Sequence, residues 1–241
     1  MQLYAPIDLA QLQQDLPYLM EVTKWTETFL AKPHPDLGRS GPVCPFLPRA
    51  LQLDAIRLAV IRSKNLNQQQ LEEVVKHYRD HFLELEPKQG ELAFYKAIML
   101  VFPDVAEEEA SELIDQVQQK LKPFFVQAGL MIGEFHKRNE SPGLHNPNFR
   151  PLRSPIPMLA IRFMTESDLP FLDRLTDEPQ LRVRYLNAYL ERLGTVVKDD
   201  KKLSNARKAL ALAQAQLKEG SLEPTQQPRR CPFARLAAVF G

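Results

Sequence analysis

The sequence predicts an α+β fold: a four-stranded ferredoxin-like sheet with helices on one face, flanked by helices at both ends. From Leu53 to Met164, short apolar runs with β-branched residues alternate with amphipathic stretches. Beyond Met164 every stretch reads as helix. Two Pro-rich segments read as loops, Lys32–Ala50 and Lys137–Pro155, the second followed at once by the strand-leading Pro157. The chain accordingly divides into an N-terminal helical segment (1–32), an α+β core (33–172) and a C-terminal helical extension (173–241).

Asp8 is a reasonable N-cap for a first helix over Leu9–Leu30, with Leu12, Leu16, Leu19, Val22 and Phe29 as its apolar stripe. Pro17 should kink or split it. The first Pro-rich loop holds five prolines, yet Val43, Cys44, Phe46 and Leu47 are too apolar for a solvated linker. It should pack on the body of the protein. The strand expected over 54–62 sends Ile56, Leu58 and Val60 one way and Arg57 and Ala59 the other. Asn67 caps a helix over 68–85, and a strand over 94–102 is apolar on both faces, as a doubly covered strand is. Glu107, Glu108 and Glu109 suit the positive end of a helix over 107–122 that Pro123 should bend or end. Strands over 130–136 and 157–164 follow and can pair antiparallel. A helix stands in place of the central hairpin connection of the β-α-β-β-α-β order, and a loop in place of its second crossover. The last stretches, from Ser167, Glu178 and Asp199 onward, are helical, and the apolar end of the tail should dock back on the body.

With 241 residues, 44% hydrophobic, the chain can build a full core, and its net charge of +1 argues against a dedicated nucleic-acid binder. No run suits a membrane span, and the first residues lack the pattern of a signal peptide, so a cytoplasmic location is expected. Cys44 and Cys231 make no disulfide framework and should be free thiols. There is no dinucleotide, Walker, Ser-hydrolase or kinase motif.

The candidate chemistry gathers at the second Pro-rich loop. Five prolines fix its backbone, and His145, Asn146, Arg150 and Arg153 lie within it. Glu134 and His136 share one face of the preceding strand, where a carboxylate and an imidazole can act as base and orienter or as ligands to a metal or haem iron. Arg57 and Arg162 are flanked by alanines, which leave room for a ligand. If their faces coincide with that of Glu134, the open side of the sheet becomes a charged pocket; otherwise they form ion pairs on a wet face. His77 and His81 have the spacing of a two-histidine metal site but no carboxylate between them, so a solvated face is the plainer reading. His34 lies in the first Pro-rich loop, where a held polar side chain invites the same question. Cys44 and Cys231 each begin a Cys-Pro-Phe tripeptide; either is a nucleophile, an axial haem ligand or simply a small buried hydrophobe.

The blocks HPDLGRSGPVCPF, GEFH, PGLHNPNFRPLRSPIPMLAIRFM and DLPFL resemble a family of bacterial proteins classed as a domain of unknown function and associated with natural-product gene neighbourhoods. The resemblance covers roughly Pro33 to Leu172 and implies no catalytic assignment. At the level of fold alone, the order of elements is also similar to that of dimeric α+β-barrel haem proteins, which would imply haem on the open sheet face.

Two functional expectations follow. The first is a small-molecule enzyme with its site between the open sheet face and the two Pro-rich loops, haem or metal remaining open. His136, Glu134 and Cys44 would be its catalytic groups; Arg150, Arg153, His145, Arg57 and Arg162 would hold an anionic ligand. The alternative is a noncatalytic binding or interaction module. Neither needs nucleic acid or a membrane, and both are compatible with a homodimer.

Overall fold

A computed structural model of the chain describes residues 6–88, 90–195, 197 and 199–220. Helix α1 (Pro6–Trp25) runs into a π-helical turn, Thr26–Leu30, and a 3-10 turn at Pro35–Leu37. Then come α2 (Leu47–Gln52), β1 (Ile56–Val60), α3 (Gln68–Glu84), α4 (Gly90–Phe94) and β2 (Ala97–Val101). After α5 (Glu107–Gln127), β3 (Leu130–Phe135) and β4 (Met158–Phe163), the chain continues as α6 (Leu169–Leu172), α7 (Pro179–Leu193) and α8 (Asp200–Gly220).

Asn67 and Gln70 close a reciprocal capping box on α3, each side chain bonding the other's backbone amide, so that helix starts where its sequence says. The interior prolines do not break their helices. Pro17 lies within α1 and Pro123 within α5. Each deprives the carbonyl four residues earlier of its donor, and those positions, Gln13 and Gln119, are exposed, where water can replace the lost bond. The strand predicted from residue 94 begins only at Ala97, because the left-handed Gly90 (φ +84°) opens the short α4.

The fold is mixed α+β around a four-stranded sheet of order β1-β2-β4-β3. β1 and β2 are parallel neighbours, β2 and β4 are antiparallel, and β4 pairs antiparallel with β3. This corrects the ferredoxin-like expectation. That topology inserts a strand between its first two parallel strands, whereas here α3 and α4 return the chain directly beside β1.

α3 and α5 pack on one face of the sheet, as expected. Leu71, Val75 and Phe82 of α3 and Ile114, Val117 and Leu121 of α5 bury the side chains of Ile98, Leu100, Ile132, Leu159 and Ile161. The other face is not open. Val22 of α1 is fully buried against Met99, Val101 and Met158, with Tyr18 and Trp25 packed around it. Helices therefore cover both faces. The apolar residues of α1 are spread round the helix, so the predicted stripe was ambiguous: Val22 faces the sheet while Leu12, Leu16 and Met20 face solvent. Arg62 fastens α1 to the sheet by pairing with Asp15 and Asp104.

The two Pro-rich segments dock on one another. Leu37, Val43, Leu47 and Phe149 share a small apolar cluster with Leu30, and the Asn146 side-chain amide donates to the Asp36 carbonyl at 2.8 Å. Gly38, at φ +78°, lies so close to the His145 backbone that a Cβ there would sit 2.7 Å from its carbonyl oxygen. On the far side of α5, the helices α7 and α8 bury Tyr185, Tyr189 and Leu193 in a second core with Val126. Gln118 of α5 donates its side-chain amide to the Ile132 carbonyl on β3, the outer strand of the sheet, at 2.9 Å.

Candidate functional site

The alternation of β3 puts Leu130, Ile132 and Glu134 on the face covered by α5, and the chain leaves the strand with His136 turned toward that helix. On α5, Asp115, Gln118 and Lys122 follow a 3-4 spacing beside the apolar line of Ile114, Val117 and Leu121. Strand end and helix edge thus bring together two carboxyls, an imidazole and an amine. His136 Nε2 meets Asp115 Oδ1 at 3.0 Å. Lys122 Nζ donates to the Phe171 carbonyl at 2.9 Å and stands 5.2 Å from the Tyr185 ring centre.

The electrostatics of this cluster are perturbed in a consistent sense. Burial pushes the Glu134 carboxyl above its ordinary range, and nearby Asp115 adds to that; its own backbone amide, Arg174 and Lys122 only partly oppose it. Asp115 is also raised by burial, against the pull of His136. Burial and the neighbouring Arg174 lower Lys122, opposed by Asp177 and Glu134. Each shift moves its group toward the neutral form, the direction that suits a carboxyl to donate a proton and an amine to accept one.

His136 itself is 1% exposed, and its Nδ1 is buried without a hydrogen-bond partner. It orients Asp115, the partly exposed member of the pair. Nor does it fit a haem iron as arranged, since Asp115 occupies one nitrogen and protein encloses the other, while α1 fills the sheet face where haem would lie.

The remaining candidates lie elsewhere. Arg162 is on the face opposite Glu134, paired through Met131 and Ala97, and forks onto Asp168 with both contacts at 2.7 Å. Arg57 is on the α3 side of β1, a strand at the other edge of the sheet. The faces of Arg57, Arg162 and Glu134 therefore do not form one pocket. Cys44 is half-buried near Arg162, whose guanidinium also stands 5.8 Å from the Phe46 ring. Arg150 and Arg153 converge, but on Glu140: Arg150 Nε reaches it at 3.1 Å and Arg153 Nη2 pairs with its other oxygen. Both arginines also bond carbonyls of their own loop, Pro147 and Asn139. His145 is exposed. His34 accepts the Asp36 amide at 3.1 Å and rests 4.7 Å from the Phe149 ring. His77 and His81 are exposed, and among the described residues no three His, Cys, Asp or Glu side chains converge as a metal site. Cys231 and the apolar tail lie outside the described residues.

Sequence reasoning thus named Glu134 and His136 and missed Asp115 and Lys122. The signal was present: polar residues at a helical spacing alongside an apolar stripe mark a half-buried polar line, not a solvated face.

No curated protein and no solved structure matches the chain. A family model does match, over residues 19–204, from the middle of α1 into α8. With most of its length matched, the chain belongs to the family described as Domain of unknown function (DUF6875).

Proposed function

We propose that the protein is an enzyme performing proton transfer on a small anionic substrate, with its site at the Glu134, Asp115, His136 and Lys122 cluster. One observation supports this above the others: Glu134 is half-buried and its carboxyl is raised, yet no side chain in the described residues forms an ion pair with it. A carboxylate whose environment disfavours its charge is usually paired when its role is structural. Glu134 takes the role of acid or base, Asp115 is its partner held by His136, and Lys122 and Arg174 receive the anionic group of the substrate. Arg150 and Arg153 are engaged by Glu140 on the adjoining loop, and these arginines, His145 and Cys44 are assigned no step. The cluster replaces the open sheet face as the location of the site.

The test is a thermal-shift screen of the full chain against small mono- and dicarboxylates and phosphate esters, followed by turnover assays on the hits. Glu134→Gln should keep binding and lose turnover; Lys122→Met should lose both. Hits that bind equally to both variants would remove the cluster from the function.

The alternative, a noncatalytic interaction module, is favoured by a different feature. Leu12, Leu16 and Met20, one turn apart on α1, are exposed, Met20 by 63%. We propose that in this reading the face pairs with a second copy of the chain, which light scattering on the parent protein and on Leu16→Glu would detect as a dimer and a monomer respectively.

A further inference from the structure

A parallel ladder uses the peptide groups of alternate residues, and the bonds at the two ends of β1 fix which ones. The Ala97 amide donates to the Ala55 carbonyl at 3.1 Å, and the Ile61 amide donates to the Val101 carbonyl at 2.8 Å. Between them Arg57 and Ala59 turn their peptide groups to β2, and Ile56, Leu58 and Val60 turn theirs away from it. β1 is an outer strand of the sheet, so those groups point off its edge. Among the described residues no hydrogen bond reaches the amide or the carbonyl of Leu58 or Val60. The Ile56 carbonyl accepts Arg57 Nη1 at 2.9 Å, from an exposed side chain that can let go at little cost. All three residues are partly exposed.

The edge is complementary to itself. Ile56 and Leu58 lie on the face covered by α1, and Ala59 lies on the face covered by α3. Let a second copy approach antiparallel, with a two-fold axis through Leu58. Leu58 then exchanges both peptide bonds with Leu58 of the other copy, and Ile56 does the same with Val60, so every outward group of the three residues finds a partner. The side chains agree with that register. Apolar residues meet apolar residues on the α1 face, while on the other face Arg57 comes opposite Ala59, which leaves room for the guanidinium. Neighbouring registers are worse. A slip of the pairing one way sets Arg57 directly opposite Arg57, and a slip the other way sets Ile56 opposite Arg62.

We propose that β1 is a self-pairing edge, through which two copies of the chain join antiparallel about Leu58 into one continuous sheet. The same strand supplies both halves of an isologous contact, which is what selects a second copy over a foreign peptide. This goes beyond the proton-transfer reading and uses a different surface from the exposed side of α1. Five residues a side are few against the roughly 20–30 of a standard interface, so the dimer forms reversibly and at high protein concentration.

Amide exchange on the full chain is the first test. Exchange at Leu58 and Val60 should slow as protein concentration rises, in step with a doubling of mass by light scattering. Leu58→Cys should be trapped by mild oxidation as a dimer joined through position 58, since directly opposed residues in such a pair stand about 5.5 Å apart, within disulfide reach. Arg57→Cys, which faces position 59, should yield little or no such link. Leu58→Lys places two ammonium groups on the axis and should lose the dimer, whereas Leu16→Glu should keep it. If Leu58→Lys does not fold, the exchange and the cross-links on the other chains still decide. Amides protected at every concentration would mean that the same molecule covers the edge, and would overturn the proposal. So would equal linking at positions 57 and 58, no link at either, or a dimer lost in Leu16→Glu and kept in Leu58→Lys.

Discussion

Arg162 and Asp168 are joined by a two-point fork, Nη1 to Oδ2 and Nη2 to Oδ1, both at 2.7 Å. Asp168 is 1% exposed and also accepts the Thr165 amide, so the fork pins the end of β4 to the turn that starts α6. Arg162→Ala leaves that carboxylate enclosed without its counter-charge, a change that costs about 3–5 kcal/mol in comparable pairs. Urea denaturation should show a loss in that range. Arg162→Lys, which keeps the charge without the planar fork, should fall between. Unchanged stability would mark Arg162 as available to a ligand instead.

Gly38 and Gly41 offer a matched pair for weighing the contact between the Pro-rich segments. Both have positive φ, +78° and +88°, so alanine at either costs about 1–2 kcal/mol in backbone strain. Only at Gly38 does the new Cβ also strike another segment, the His145 backbone. Gly38→Ala should therefore lower the melting temperature more than Gly41→Ala does. Equal shifts would show that the segments separate freely.

Glu134 makes a prediction about pH whose sign is fixed by its environment. Its folded-state pKa is raised, so its contribution to stability is complete below the ordinary carboxyl range and is lost as pH rises through the folded value. Above the folded value the ionised group opposes folding. Glu134→Gln should then be more stable than the parent at pH 7, with the advantage vanishing near about pH 4. Stabilisation together with lost turnover is the signature of a functional group kept against the interest of the fold. A variant less stable at pH 7 would make Glu134 a structural partner.

Arg153 differs from Arg162 in being half-exposed, with an exposed partner, Glu140, and a bond to the Asn139 carbonyl. Exposed pairs add little to global stability. Arg153→Ala should leave the melting temperature nearly unchanged while amide exchange accelerates across residues 139–150. A large drop in melting temperature would make the arginine a staple of the whole fold.

The sequence made the four strands and the two helices that pack on one face of the sheet legible because each obeys a single periodicity. Ile56, Leu58 and Val60 alternate, and Leu71, Val75 and Phe82 repeat at helical spacing. Strand order was not legible. It depends on α4 and the Lys96 turn returning β2 beside β1, a choice among pairings that no local pattern encodes. The covering of the second face was hidden for another reason: the apolar residues of α1 point several ways, and among the described residues it is Val22, Tyr18 and Trp25 that pack on the sheet.

The candidate site was half-legible by the same logic. Glu134 and His136 declare a shared face through strand alternation, which needs only two residues of context. Asp115 and Lys122 join them from a helix some twenty residues earlier, and distance in the chain carries no sign of nearness in space. Arg150 and Arg153 were recognisable as anion binders by type. The anion they meet is Glu140, within the same loop.

Gln118, finally, has a consequence for how copies of this chain meet. β3 is an outer strand, and an outer strand offers outward carbonyls to any extended peptide that passes. With the Ile132 carbonyl already bonded by the Gln118 amide, β3 is a poor seed for sheet growth from molecule to molecule. Self-association through this edge would first have to displace a side chain of α5. Gln118→Ala would remove that guard, and faster fibril formation on gentle heating would be its mark.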